Sequence, residues 1–537
     1  MNDNRIRVGR KKEAEKPLWR RLRLPLSLAA LLVIAAAGGF LVLSTVGNLN
    51  IFAGSTQITT ENGGTVIRVP PGGDLQAAIG RASGGDTIEL AAGATYGPIK
   101  LPVKQIQEFI TIRSSAADKL PERVGPEQGK LLARIVTREK GEPAVATENG
   151  AHHYRFVGIE FAPETTEYIY NLVLFGGDHR TRADVPHHLE IDRSYFHPAK
   201  TGVTRRGLAL NSSETVVKNS YFEGFAFPGE ETQGICGWTG TKDVRILDNH
   251  IEGGAENIMF GGADPVSSDL TPEGIEIRGN YLFKPYDWRE KNYSLKTLFE
   301  LKNAKRVQLI GNFLENNPLG SAFRITIRNS SGKAEFSTLE DVLIEDNIVL
   351  GAGEGINILG KDDTYPSQTL RGLKIVNNLF LDIGGDKWEG GGYFIQVNDG
   401  RNILIANNTV FQTGNIVTFY GVNPENFVFR NNIVGHGNYG IHGLGDVRRS
   451  DIGRRFFRKN VIVNNRNVPA SDMTVPPDNF SLKSYSEIKF ADLQHRDLRL
   501  SADSGVKGKG VEGADIGADI ETIRSNMPAS LFKLLSQ

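Results

Sequence analysis

Two short stretches, LFELK (298–302) and FRITI (323–327), set charged side chains between apolar ones. On a strand, successive side chains point to opposite faces. With Phe299 and Leu301 inward, Glu300 and Lys302 point outward. With Phe323, Ile325 and Ile327 inward, Arg324, Thr326 and Arg328 point outward. The same alternation turns Asn257, Asn357, Gln396 and Asn398 outward and extends to His442. A lysine whose pKa is lowered by nearby Arg324 and Arg328 can act as a base. An arginine stays charged and can clamp a carboxylate or stabilise an enolate. These are the parts for cutting a uronate chain by β-elimination, in which a base removes the proton beside a neutralised carboxylate. The expected catalytic pair is Lys302 and Arg324. Arg328, Asn357, Gln396 and Asn398 are expected to bind substrate, with Trp288 and Trp388 supplying aromatic planes for sugar rings. The alternative is ordinary cross-strand ion pairing on an exposed face.

Those residues meet only if the chain winds. From about residue 150 one phrase recurs: LEIDRSYF, VVKNSYF, RILDNHI, EIRGNYL, QLIGNFL, LIEDNIV, KIVNNLF, LIANNTV, VFRNNIV and FRKNVIV. Each has a short apolar strand, a polar anchor and a second strand. The anchors are Ser194, Ser220, Asn249, Asn280, Asn312, Asn347, Asn378, Asn408, Asn432 and Asn460, spaced 24 to 35 residues apart. YRFVGIEF places Ile159 at an earlier, degenerate anchor position. Short strands at this period without intervening helices predict a solenoid of stacked coils. Asn suits the bend because it tolerates left-handed backbone, and stacked Asn side chains can form a ladder. Neither a Trp-Asp signature nor a regular leucine consensus is present. The expected fold is all-β, a single-stranded right-handed parallel β-helix over 65–520. Insertions collect beside one strand row, notably FKPYDWREKNYSLKT, IGGDKWEGGG, GGADPVSSDLTPEG, NSSGKAEFSTLED and GKDDTYPSQTLRG. They would wall a groove whose floor carries the charged positions.

A solenoid needs its ends covered. GGDLQAAIGRAS (72–83) has Leu75, Ala78, Ile79 and Ala82 on one helical face and Asp74 near its start. GDTIELAAGATYGPIKL follows. This run resembles the entry segment of pectin-lyase-like β-helix proteins, and DLRLSADSGVKGKGVEGADIGADI resembles the terminal coils of that class. The resemblance covers about 65–520 and implies a capping helix at the entrance. Residues 521–537, including ETIRSNMPASLFKLL, are expected to form a second cap or a tail. Lys302 falls ten residues before Asn312 and Arg324 twelve after it. In this spacing the chain is similar to polysaccharide lyase family 6, which acts on alginate or dermatan/chondroitin-type chains. That likeness implies a lysine base, an arginine acid and calcium, with Glu300 and Asn257 on the calcium side. Leu-Lys-Asn (301–303) and Arg-Ile-Thr (324–326) stand where the family has Asn-Lys-Ser and Arg-His-Gly.

The N-terminus carries Arg5, Arg7, Arg10, Lys11, Lys12, Lys16, Arg20, Arg21 and Arg23 ahead of an uncharged stretch, 24–46. As a helix that stretch would span roughly 35 Å, enough to cross a bilayer. Residues 1–23 are expected to stay cytoplasmic and the remainder to face outward, after a linker at 47–64. A single-pass protein of the cytoplasmic membrane follows, with secretion after signal cleavage as the alternative. Lys+Arg and Asp+Glu are both 62, which argues against a nucleic-acid partner. The single cysteine, Cys236, excludes an intrachain disulfide. Three functions compete: a lyase, a hydrolase needing two carboxyls about 5–10 Å apart and recruiting Asp264 or another loop acid, and a non-catalytic glycan-binding or envelope scaffold protein. Asp264 itself reads more readily as a turn residue, and Asp362-Asp363 as a loop-tip pair that could help hold calcium. His152-His153 and His187-His188 read as surface histidines, since strand neighbours diverge. Arg448, Arg449, Arg454 and Arg455 read as a solvated patch.

Overall fold

The computed structural model describes residues 56–61, 64–443 and 456–536. The basic tail and the apolar stretch at 24–46 lie outside them, as does the arginine cluster at 448–455. Among the described residues no helix is long and apolar enough to cross a membrane.

The chain winds as stacked coils, each contributing strands to three parallel rows. The first row belongs to a 15-stranded sheet and holds, in successive coils, Lys242–Leu247, Glu273–Arg278, Ala304–Ile310 and Leu339–Glu345. The second begins directly after each anchor, as in His250–Gly253 and Tyr281–Phe283. The third holds Glu256–Phe260, Thr297–Leu301 and Ile395–Asn398. The second and third rows merge into one 24-stranded sheet because Phe313–Thr326 and Ile348–Leu359 run unbroken around the corner. This is a parallel β-helix. Its interior is one continuous apolar core running from Ile67 to Ile462.

The anchors stack as a ladder. The side-chain oxygen of Asn280 accepts from the backbone N–H and the Nδ2 of Asn249, at 2.9 and 3.0 Å. The same pair of bonds recurs from Asn280 to Asn312 and onward to Asn460. Asn479 extends the ladder one step past the sequence pattern. Each Nδ2 also donates to a first-row carbonyl of the preceding coil, as Asn312 does to Ile277. The anchor itself is not the left-handed residue. That conformation belongs to the residue before it: Asp248, Asp346, Asn377, Asn407 and Asn431, with Gly279 and Gly311 in the corresponding places. The anchor is therefore free to turn its side chain inward and bond along the stack. Ile159 fills its anchor position as a buried apolar residue.

The entrance helix is Leu75–Arg81, capped by Asp74, whose carboxylate accepts from the Ala77 N–H. Leu75, Ala78 and Ile79 join the core. Part of the segment read as a linker is structured, since Gln57–Glu61 pairs antiparallel with Gly64–Val69. At the other end winding stops at Phe480–Leu482 and not near residue 520. The sequence beyond forms an antiparallel pair, Phe490–Asp492 with Asp497–Leu500, and then turns back along the outside. Gly517 N–H bonds Asn431 O, Asp519 N–H bonds Asn377 Oδ1, and Asn526 Nδ2 bonds Asp346 Oδ2. Ile520, Ile523, Met527 and Leu531 bury themselves over Phe313, Ile348, Leu379 and Ile433. At about 1.5–3 kcal/mol for each large side chain buried, this strap is a substantial contributor to stability.

Replacing Asn312 with Ala leaves the buried Asn280 N–H without its acceptor, at about 1–3 kcal/mol, and removes the amide that bonds Asn280 Nδ2, Asn347 Oδ1 and the Ile277 carbonyl. The urea midpoint of Asn312→Ala should fall well below that of the wild type. Asn479→Ala, at the half-buried last step, should cost distinctly less; equal losses would mean that the ladder does not carry the turn.

Candidate functional site

The third row aligns one outward column across successive coils: Met259, Glu300, Arg324, Asn357, Gln396, Thr418 and His442. Phe299, Leu301, Phe323 and Ile325 occupy the alternate, inward positions. Loops after Phe260, Ile327 and Leu359 rise on one side of this column, and the insertion carrying Lys296 rises on the other. Between them is a cavity of about 400 Å³, whose lining includes Lys296, Glu300, Lys302, Arg324, Asn357 and Tyr420.

Two carboxyl groups underlie it, Glu300 at its lining and Glu256 behind. Glu256 is fully buried and Glu300 nearly so. Lys296 Nζ lies 2.9 Å from a carboxylate oxygen of each, and Gln233 donates to the other oxygen of Glu256 at 2.8 Å. Burial alone would raise both acids. The Lys296 charge overcomes this at Glu256 and holds it low. Glu300, penalised by burial and facing the Glu256 charge, is pushed up to about 7. Burial lowers Lys296, but the two carboxylates more than reverse that, so it stays firmly protonated.

Lys302 and Arg324 stand above these carboxyl groups. Lys302 Nζ is 3.7 Å from Glu300 Oε2. Alternation places Glu300 outward beside Lys302, and the fold brings its carboxyl group close to the ammonium. Arg324 pairs with no carboxylate among the described residues, and its buried Nε has no hydrogen-bond partner. Arg328 is committed elsewhere. It pairs with Asp362 and Asp363, and although burial opposes its charge, these partners raise its pKa. Asp362 and Asp363 thus serve an ion pair, and Asp362 also accepts the Asn329 N–H.

Asn357 and Gln396 are adjacent and joined at 3.3 Å, and the Tyr420 hydroxyl donates to Asn357 Oδ1 at 3.2 Å. Other expected positions lie apart. Asn398 accepts the Val422 N–H and fixes a turn. His442 is exposed, two coils beyond Gln396. Trp288 and Trp388 are 4% and 5% exposed, so neither wall offers an indole face to a sugar. Trp388 packs over Gly351, where a Cβ would lie 2.4 Å from the ring. Asp264 accepts the N–H groups of Ser331 and Lys333 and so ties two loops together.

The calcium set implied by resemblance does not assemble. Asn257 is fully buried and donates to the carbonyls of Ile251 and Phe283. Strict alternation fails there because the chain bends between the second and third rows. The space between Glu256 and Glu300 holds the Lys296 ammonium, which supplies the positive charge that a cation would bring.

Lys296 and Glu256 escape a reading by alternation. The first sits in an insertion, and the second lies at the same corner as Asn257. The only sequence trace is the four-residue interval from Lys296 to Glu300, ahead of Lys302. Glu300 has a consequence for stability. An acid whose pKa is higher folded than unfolded binds more protons in the folded state between the two values, so stability falls as pH rises through that window. Here the window runs from the ordinary 4.5 to about 7. The unfolding midpoint should drop across it, and Glu300→Gln should flatten the drop; an unchanged slope in that variant would contradict the assignment.

No protein-family model matches the sequence, and no curated protein sequence matches it. Solved structures do. The polysaccharide lyase family 6 alginate lyase AlyGC is similar at 14% identity and a TM-score of 0.50, over 82% of this chain and 56% of that one. An alginate lyase from Paenibacillus sp. strain FPU-7 is similar at 14% identity and a TM-score of 0.36, over 70% of this chain and 97% of that one. The catalytic unit of a GH87 α-1,3-glucanase from Streptomyces thermodiastaticus strain HF3-3 is similar at 13% identity and a TM-score of 0.45, over 82% and 71%. This chain spans little more than half the length of AlyGC. The strand rows make the chain a parallel β-helix protein, and at 14% identity the likeness to AlyGC is one of fold.

Proposed function

We propose that this is a carbohydrate-active β-helix protein whose cleft cleaves a uronate-containing polysaccharide by β-elimination. The observation that carries the reading is the pair Lys302 and Arg324. Both reach one polar cavity, and Arg324 has no ionic partner among the described residues. A carboxylated sugar supplies what that guanidinium lacks. The lyase named in the AlyGC comparison acts on such a polymer.

In this reading Arg324 binds the sugar carboxylate and stabilises the enolate formed from it. Lys302 takes the proton from the carbon beside the carboxylate. The electron pair then expels the bridging oxygen, which leaves with a proton from water, and an unsaturated sugar end remains. Asn357, Gln396 and Tyr420 bind hydroxyls along the floor. Glu300, whose ionisation is opposed by burial and by the Glu256 charge, limits the negative charge that an incoming carboxylate meets. No step calls on calcium. A hydrolase is less well served, because Glu256 and Glu300 both hold Lys296 and leave no room for a sugar ring between them. The hydropathy of 24–46 further supports a single-pass anchor in the cytoplasmic membrane, with the β-helix on the outer side.

The reading is tested by incubating the protein with a panel of acidic polysaccharides and following the ultraviolet absorbance of the unsaturated product. Lys302→Ala and Arg324→Ala should each lower the rate by about 10²–10⁴-fold while unfolding like the wild type. Reducing ends without new absorbance would point to hydrolysis. Full activity in both variants would move the reaction elsewhere.

A further inference from the structure

Two histidine pairs lie on the first strand row, in coils that precede the cleft. Alternation sends the two members of each pair to opposite faces, and the fold overrides it. His153 and His188 both have left-handed backbone, with φ of 59° and 52°. Each takes an extra step at the start of its strand, so its ring swings to the side of its predecessor. His152 Nδ1 and His153 Nδ1 are 2.7 Å apart, and so are those of His187 and His188. His152 and His187 are partners in register. The pairs consequently stack as a two-by-two array, with His152 over His187 at 4.7 Å and His153 over His188 at 4.5 Å between ring centroids.

We propose that His153, His187 and His188 form a binding site for a divalent transition-metal ion that staples these two coils. One ring nitrogen from each lies within 4.8 Å of the others. Metal–nitrogen bonds of about 2.0–2.1 Å require the close His187 and His188 nitrogens to part by ~0.6 Å and nitrogens as far as 4.8 Å apart to close by ~1.4 Å for tetrahedral binding. His152 stands beside them, its Nδ1 2.7 Å from that of His153. Glu214, at the start of the next coil's first-row strand, accepts from His188 Nε2 at 2.6 Å. A carboxylate on the outer nitrogen fixes the tautomer, leaves the inner nitrogen's lone pair for the ion and raises its basicity. An all-imidazole set suits Zn²⁺, Ni²⁺, Co²⁺ or Cu²⁺ and not Ca²⁺ or Mg²⁺. Burial, reinforced by the neighbouring rings, lowers His152, His153 and His187, and takes His153 to about 4. No residue of this cluster lines the cleft, so the inference stands apart from the proposed reaction.

The test is calorimetric titration of zinc into the full chain, prepared without a polyhistidine tag and stripped with chelator, together with its thermal unfolding. One zinc ion per chain should bind and raise the melting temperature, while magnesium and calcium at equal concentration leave it unchanged. His188→Gln should abolish the stoichiometric binding. Glu214→Gln, a half-exposed change that leaves the ligands in place, should weaken it by about 10–100-fold. His495→Gln, at an exposed histidine elsewhere, should bind as the wild type does. Absence of stoichiometric binding, or equal binding by the His188 and Glu214 variants, overturns the proposal.

Discussion

From Ser220 to Asn460 each coil passes through a tight bend in which a buried backbone N–H points along the stack, away from any strand partner. Such a group left unsatisfied is costly. The amide oxygen of the asparagine one coil on accepts it, and that asparagine's own N–H is accepted by the next in turn. The bond sets the register at which one coil sits on another. Because register is fixed at this corner, Glu300, Arg324, Asn357 and Gln396 fall in one column although they are far apart in sequence. The cleft therefore inherits its geometry from a row of amides on a different corner of the coil.

Electrostatics at the cleft follow from burial on that scaffold. Two carboxyl groups held out of water at short range cannot both ionise without a counter-charge. Lys296 supplies one and favours Glu256, which leaves Glu300 as the weaker acid. The cations above them divide in the same way: Arg328 is neutralised by its loop acids, and Arg324 is not. A cleft with balanced formal charge thus presents a localised positive spot.

The winding was legible in the sequence because its two determinants are local, an apolar alternation and a polar anchor at a steady interval. The floor residues on straight strands, Glu300, Arg324 and Asn357, followed from alternation alone. Alternation misled wherever the backbone stops being a straight strand. Asn257 turns inward at a corner, and His153 and His188 join their neighbours through left-handed steps. Residues in insertions were the least readable. Lys296 reaches the buried acids, while Trp288 and Trp388 turn away from the groove to fill gaps beneath their own loops. Nothing in the local pattern announces such long-range destinations. The strap was hidden for the same reason, since its apolar positions match a surface formed by coils far upstream.

That strap changes how the molecule can come apart. A stack in which each unit touches only its neighbours frays from its end, one unit at a time. Here Asn526 holds Asp346 across 180 positions of sequence, and Asp519 holds Asn377 across 142. The last coils cannot peel away until these clasps open, so the far end behaves as one cooperative block and resists being tugged loose. The clasps also close late, because they wait for residues 519–526, made long after the coils they hold. Until then the growing solenoid carries an apolar stripe bare along its flank.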